Sequence, residues 1–321
     1  MTESTSTPPY PLKTAVLFLV FNRPDTTKQV FEAIRKAKPP QLYIAGDGPR
    51  GNINGESEKI QEIRDYVLKN IDWPCDVKTL FRDKNLGCKM APNSAIDWFF
   101  ENVEEGIILE DDCLPHPTFF RFCEELLERY RNDERVMSIS GNNHQFGRIR
   151  TNCSYYFSRY RHTWGWATWR RAWRYSDVNM TLWPEIKDGK WLLDLLGDRK
   201  AVRYWTSMFD RVYQGKIMDA WDYQWTFVCW IQNGLAILPN VNLITNIGFG
   251  EDSTHTKDEN SKFANIKNQP MVFPLSHPPY IIRDSAADGY TEQIRYSGDS
   301  LLVRFMGKLS RLCKKTMRLK K

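Results

Sequence analysis

Gly106-Ile107-Ile108-Leu109-Glu110-Asp111-Asp112 is the stretch that decides the fold. Three large aliphatic residues run straight into three carboxylates. A short apolar run bounded by a turn is a buried strand, and consecutive acids are not buried unpaired. A core strand therefore ends here, with its acidic tip facing water, a cation or a sugar hydroxyl. Hard oxygen donors at such a tip suit Mg²⁺ or Mn²⁺. A plain acidic turn is the alternative reading of the triplet alone.

Three further strands lead up to it. Thr14 to Phe21 (TAVLFLVF) is continuous, β-branched and aromatic, the mark of a strand covered on both faces. Leu42 to Ala45 precedes the turn Gly46-Asp47-Gly48-Pro49, and Val77 to Phe81 precedes Arg82-Asp83-Lys84-Asn85. Helical patterns separate them: Thr26 to Ala37, stopped by Pro39-Pro40, then Ser57 to Asn70 and Ala91 to Val103. Another helix is expected from Pro117 to Arg131, with Glu124 and Glu128 on its outer face, and a fifth strand at Val136 to Ser140. This alternation predicts an α/β fold with a mostly parallel sheet and helices on both faces. Ligands of such sheets gather at the carboxyl ends of the strands. Asn22-Arg23, Asp47, Arg82 to Asn85 and Glu110 to Asp112 all fall on that edge.

The second half differs in character. Ten of the twelve tryptophans lie between Trp164 and Trp230. Leu192 to Tyr213 and Asp219 to Gln232 read as helices, and Leu235 to Leu238 as a strand. Gly248 to His255 (GFGEDSTH) reads as a mobile glycine-rich loop, followed by a polar, proline-punctuated stretch. The net charge of +6 belongs to the tail: Leu301 to Lys321 carries eight Lys or Arg and no acid. The remainder holds 37 basic and 39 acidic residues, which gives no case for a nucleic-acid partner. Leu302, Phe305, Leu309 and Leu312 recur at helical spacing among those charges, a basic amphipathic tail suited to an anionic membrane surface. Seven scattered cysteines without metal-ligand spacing fit reduced thiols. No leader pattern stands at the N-terminus and no apolar run is long enough to span a bilayer. A cytoplasmic protein is expected, its tail either meeting the inner face of the membrane or forming a solvated helix packed loosely on the body.

Taken in order, AVLFLVFNR, IAGDG, GIILEDDCLPHPTFFRF, SISGNN, WGWATW, AWDYQW and GFGEDSTH resemble a GT-A nucleotide-sugar glycosyltransferase. The likeness is to the inverting N-acetylglucosaminyltransferase I type and to bacterial hemolysin-like sugar transferases. It runs from Thr14 to His255, about three quarters of the chain. It implies a Rossmann-like GT-A sheet with an aromatic-rich acceptor side. Residues 1–13 would be a disordered lead-in, 14–145 the nucleotide-sugar-binding half and 146–256 the acceptor and catalytic half. An irregular extension (257–300) and the basic tail (301–321) would follow.

The resemblance assigns roles residue by residue. Asp112 would ligate Mn²⁺ or Mg²⁺, with Glu110 and Asp111 holding ribose, sugar or metal-bound water. Asp47 would hydrogen-bond the uracil ring, and Asn22 and Arg23 would lie near base and phosphates. His255 would close over the diphosphate or the metal. Asp222 would be the general base, because an inverting transfer needs a carboxylate to take the acceptor's proton; Asp219, one turn earlier, is the alternative. The family's second acid after this aspartate is here Tyr223. Trp221, beside Asp222, would offer a flat face to a sugar ring. The implied activity is sugar transfer from a UDP-sugar to a glycan or lipid-linked acceptor. A nucleotidyltransferase shares the sheet and the acidic site, but its glycine-rich loop after the first strand is replaced by Asn22-Arg23-Pro24. A non-catalytic glycan-binding or membrane-active protein is the third reading.

Overall fold

A computed structural model of the chain describes residues 12–217, 220–250, 258 and 261–296. The expected lead-in, the tail at 301–321, Asp219 and His255 therefore lie outside the described residues, apart from Leu12 and Lys13.

Strand β1 (Ala15–Val20) is followed by α1 (Pro24–Ala37), β2 (Gln41–Gly46), α2 (Glu56–Lys69), β3 (Asp76–Phe81), α3 (Gly87–Asn102) and β4 (Glu105–Glu110). A short β5 (Cys113–Pro115), α4 (Thr118–Arg129) and β6 (Val136–Ser140) complete the first half. The second half contains β7 (Tyr155–Ser158), β8 (Trp166–Trp169), the one-turn helices α5 (Arg170–Trp173) and α6 (Trp183–Ile186), α7 (Trp191–Leu196), α8 (Arg199–Tyr213), α9 (Asp222–Ile231), β9 (Leu235–Pro239) and β10 (Ile244–Asn246). Helix α10 (Ser285–Thr291) runs into a π-helical turn, Glu292–Tyr296. Eight strands form one sheet in the order β3-β2-β1-β4-β8-β6-β9-β7, and β10 pairs with β5 in a small antiparallel sheet.

The first four strands are parallel; β8 is inserted antiparallel between β4 and β6. The sheet is thus the mostly parallel α/β sheet expected. All six residues of β1 are buried because the strand is covered twice. Val16, Phe18 and Val20 pack with α1, α2 and α4, while Ala15, Leu17 and Leu19 pack with α3 and the aromatic cluster of α8 and α9. The period of two sends alternate side chains to opposite layers, which is why the sequence reads as an unbroken apolar run. Truncating one of these leucines to alanine typically costs about 2–5 kcal/mol.

Several expectations change in detail. Leu192 to Tyr213 is two helices, because Gly197 takes φ 69° and Asp198 caps α8 by accepting from the amides of Lys200 and Ala201. The helix expected from Asp219 begins at Asp222. Glu124 does not sit idle on an outer face: its Oε2 accepts from the amides of Lys13 and Thr14 and from Thr14 Oγ1, anchoring the entry to β1. Tyr155–Ser158 and Trp166–Trp169 are strands whose residues are all buried. They show no alternation in sequence because neither face meets water. Within the stretch expected to be irregular, Asp288 is fully buried and ties α10 to β7 through Ser158, Arg159 and Arg283. Among the described residues no helix is long and apolar enough to cross a membrane.

Candidate active site

Burial of Ile107, Ile108 and Leu109 fixes β4 in the middle of the sheet and delivers Glu110 to its carboxyl edge, in register with Leu19 of β1. The next two acids turn back under the loop that leaves β1. Arg23, in that loop, reaches both: Nη2 lies 2.9 Å from Asp111 Oδ1 and Nη1 lies 2.9 Å from Asp112 Oδ2. The amide of Phe21 donates to Asp111 Oδ2 at 3.2 Å, and Cys113 Sγ donates to Asp112 Oδ1 at 3.3 Å. The chain after β10 closes over this pair. The amide of Ile247 donates to the Asp112 carbonyl at 2.8 Å, and Gly248 lies so close that a Cβ there would run into Asp112 Oδ2 and Arg23 Nη1.

Three carboxylates against one guanidinium is an unbalanced cluster. Burial pushes Glu110 up to about 8, and Asp112 and Asp111 push it further, with Arg23 opposing and Asp222 adding to the rise. Burial likewise raises Asp111 to about 6 against the pull of Arg23. For Arg23, burial favours the neutral form, but Asp111, Asp112 and Glu110 outweigh it and raise its pKa, so it stays charged. At neutral pH Glu110 therefore holds a proton and can donate a hydrogen bond.

A cavity of about 220 Å³ opens beside this cluster between the carboxyl ends of β1, β2 and β4 and the start of α3. Arg23, Arg50, Arg82, Asp47, Glu110 and Asp111 are its charged walls. Asn22 Nδ2 donates to Glu56 Oε1 at 2.8 Å, and the same buried carboxylate pairs with Arg50, whose guanidinium lies 5.3 Å from the Phe21 ring. Arg82 donates to Ser94 Oγ and makes no ion pair with a described carboxylate. Asp47 has a structural task. Its carboxylate accepts from the amides of Gly48, Leu86 and Gly87 and from Asn85 Nδ2, which caps the start of α3 and closes the turn after β2. A nucleobase hydrogen bond to Asp47 would have to displace one of these donors.

Asp222 opens α9, and its field reaches Glu110, Tyr223 and Tyr296. No hydrogen bond or ion pair among the described residues uses its carboxylate. It also lines a second cavity, of about 110 Å³, with Arg161, His162, Tyr204, Thr226 and Arg295. The structure thus brings Arg23, Glu110, Asp111, Asp112 and Asp222 into one electrostatic cluster, with Asn22 and Asp47 on the flank. Trp221 departs from expectation. It is only 5% exposed and stacks on Trp166 at 5.6 Å and 28°, inside a cluster with Trp173 and Trp225. Its ring is core, because aromatic rings gain most from mutual burial.

Of the two expected metal ligands only Asp112 falls among the described residues, His255 lying outside them. Among the described residues no group of three His, Cys, Asp or Glu is placed to hold a metal ion. Arg23 already fills the space between Asp111 and Asp112, so a divalent ion at Asp112 would have to displace it. Sequence reasoning singled out neither Arg50 nor the Arg161–Arg295 pair. Arg82 and Asn85 stood in a cluster noted at a strand end, so that signal was present.

No family model matches the chain, and no curated protein does. Among solved structures, HddC from Yersinia pseudotuberculosis is 10% identical over 49% of this chain and 77% of that one, with a TM-score of 0.31. A cytidylyltransferase from Leptospira borgpetersenii is 12% identical over 50% and 63%, TM-score 0.31. A UDP-glucose pyrophosphorylase complexed with UDP-glucose is 15% identical over 46% and 62%, TM-score 0.26. The chain spans under two thirds of the length of the last two, and likeness at this level carries no functional argument.

Proposed function

We propose that this chain is a glycosyltransferase that moves a sugar from a UDP-sugar to a glycan or lipid-linked acceptor. The observation that carries the reading is the Asp222 carboxylate, unpaired among the described residues and within electrostatic reach of Glu110, which lines a cavity walled by three arginines. An enzyme of this kind needs two opposite things close together: cations for a departing diphosphate and an unpaired base for an incoming hydroxyl. In this reading the nucleotide lies in the cavity between β1, β2 and α3. Arg23, Arg50 and Arg82 face the phosphates. The acceptor oxygen forms its bond to the anomeric carbon while the bond from that carbon to the diphosphate oxygen breaks. The electron pair leaves with the nucleoside diphosphate, and Asp222 takes the hydroxyl proton. Protonated Glu110 donates to a sugar or ribose oxygen. The Arg23–Asp111–Asp112 arrangement does not suit a divalent ion as it stands, so no step is assigned to one.

Thermal-shift measurements with a panel of nucleotide sugars test the reading, followed by nucleotide release with the donor that stabilises most. Stabilisation by one donor and release of its nucleoside diphosphate is the expected result. Pyrophosphate release from UTP and a sugar 1-phosphate would identify nucleotidyl transfer instead. No shift with any nucleotide sugar would sink both enzyme readings in favour of a non-catalytic protein.

A further inference from the structure

The second cavity shares no lining residue with the nucleotide cavity, and the chemistry described so far uses it only through Asp222. Its walls carry two guanidiniums. Arg161 is 6% exposed; Nη2 donates to the Thr226 carbonyl, the guanidinium lies 5.7 Å from the Trp225 ring and interacts with the Cys229 thiol, and Nη1 is buried without a hydrogen-bond partner among the described residues. Arg295, on the π-helical turn, pairs Nη1 with His144 Nδ1 at 3.1 Å and lies 5.3 Å from the Trp164 ring. Neither makes an ion pair with a described carboxylate. His162, 3% exposed, is a third wall residue, and its Nδ1 is also buried without a partner among the described residues. Burial first, and then Arg295 and Arg161, hold His162 well below its ordinary pKa; burial, His162 and Arg295 do the same to His144. Both rings are neutral, so the arginines are the positive charges here.

The other described acids close by are engaged. Asp288 is tied to Arg159 and Arg283, and Glu292 Oε2 accepts from Tyr160 and Trp205 behind the wall. Among the described residues Asp222 is the one acid lining the cavity, which leaves one more positive than negative group among them. Arg159, as deeply buried as Arg161, is by contrast matched by Asp288. Aromatic faces offset part of the cost of burying a guanidinium, but not the cost of a donor left without an acceptor.

We propose that this cavity binds an oxyanion on the acceptor, a carboxylate or a phosphate, between Arg161 and Arg295, with the reacting hydroxyl turned toward Asp222. The guanidinium fork matches either group in two parallel hydrogen bonds. A singly charged group cancels the excess charge. The acceptor is then an acidic sugar or a sugar phosphate, and neutral sugars are poor acceptors. The inference rests on the glycosyl-transfer reading for the word acceptor, and on the cavity alone for the word anion.

Calorimetric titration of the full chain with methyl glucuronide, glucose 6-phosphate and neutral methyl glucoside tests it, with UDP binding measured on the same samples. One acidic sugar is expected to bind at one site per chain, about tenfold or more tighter than the glucoside; whichever wins names the anion. That preference should vanish in Arg161→Gln and in Arg295→Gln, and survive in part in Arg161→Lys. Arg295 is half-buried, so its variant keeps the test alive if Arg161→Gln does not fold. Equal binding of acidic and neutral sugars overturns the proposal, as does an acid preference that persists in both glutamine variants. UDP binding without acid preference removes the subsite alone. An Arg295-dependent acid preference without UDP binding keeps the anion site and removes the glycosyl-transfer reading.

Discussion

Glu110→Gln is the perturbation that reports most sharply on the carboxylate cluster. In the folded chain burial and the neighbouring Asp112 and Asp111 raise Glu110 from its ordinary 4.5 to about 8. Between those values the folded state holds a proton that the unfolded chain has released. Stability must therefore fall as pH rises through this window and level off above about pH 8. One pH unit of such a difference is worth about 1.4 kcal/mol, so the full window spans on the order of 3–5 kcal/mol once sharing with Asp111 is allowed for. Glutamine has the shape of the protonated acid and does not titrate. The variant should match the wild type near pH 4 and exceed it by that amount near pH 9. Asp111, raised to about 6, leaves the variant a smaller fall that ends near that pH. Urea unfolding at a series of pH values measures both curves. If the two proteins are equally stable at about pH 9, or the variant is weaker there, Glu110 is not the strained acid described here.

Arg23→Gln removes the cation shared by Asp111 and Asp112. Breaking such a buried pair costs about 3–5 kcal/mol, and the bared acids should then take up a divalent ion. Unfolding temperature is expected to drop, and Mn²⁺ or Mg²⁺ should raise it more in the variant than in the wild type; an unchanged unfolding temperature would show that the pair is not formed. Gly248→Ala places a methyl group against Asp112 Oδ2 and Arg23 Nη1. A loss of about 1–3 kcal/mol is expected from the overpacking, read by calorimetry, and an alanine variant as stable as the wild type would mean that this loop does not close on the cluster.

The first half of the fold was legible because each strand is an apolar run that stops at a polar turn: Thr14 to Phe21 before Asn22, and Ile107 to Leu109 before Glu110. The second half was harder for a definite reason. Strand β8 is Trp166-Ala167-Thr168-Trp169, buried on both sides, so it has no polar face to give it a strand's rhythm. Its insertion antiparallel beside β4 is a tertiary choice that no local pattern encodes. The break between α7 and α8 was written in Gly197-Asp198, a terminator followed by a cap. The site divides similarly. Runs such as Glu110-Asp111-Asp112 are visible because their charge has no other use in an apolar context. What Asp47 does depends on Asn85, Leu86 and Gly87, some forty residues away in sequence, so a turn aspartate and a ligand-binding aspartate look alike until the chain is folded. Arg161 and Arg295 are also far apart in sequence, and only the packing of the π-helical turn against the aromatic core makes them neighbours of one cavity.

The central claim is that Asp222 is the base and that the donor binds without it. Asp222→Asn keeps size and polarity at the start of α9 and removes the proton acceptor. Nucleotide release in the presence of acceptor should fall by about a hundred- to ten-thousand-fold, while thermal stabilisation by the nucleotide sugar stays at the wild-type value. Release at the wild-type rate in the variant would contradict the account.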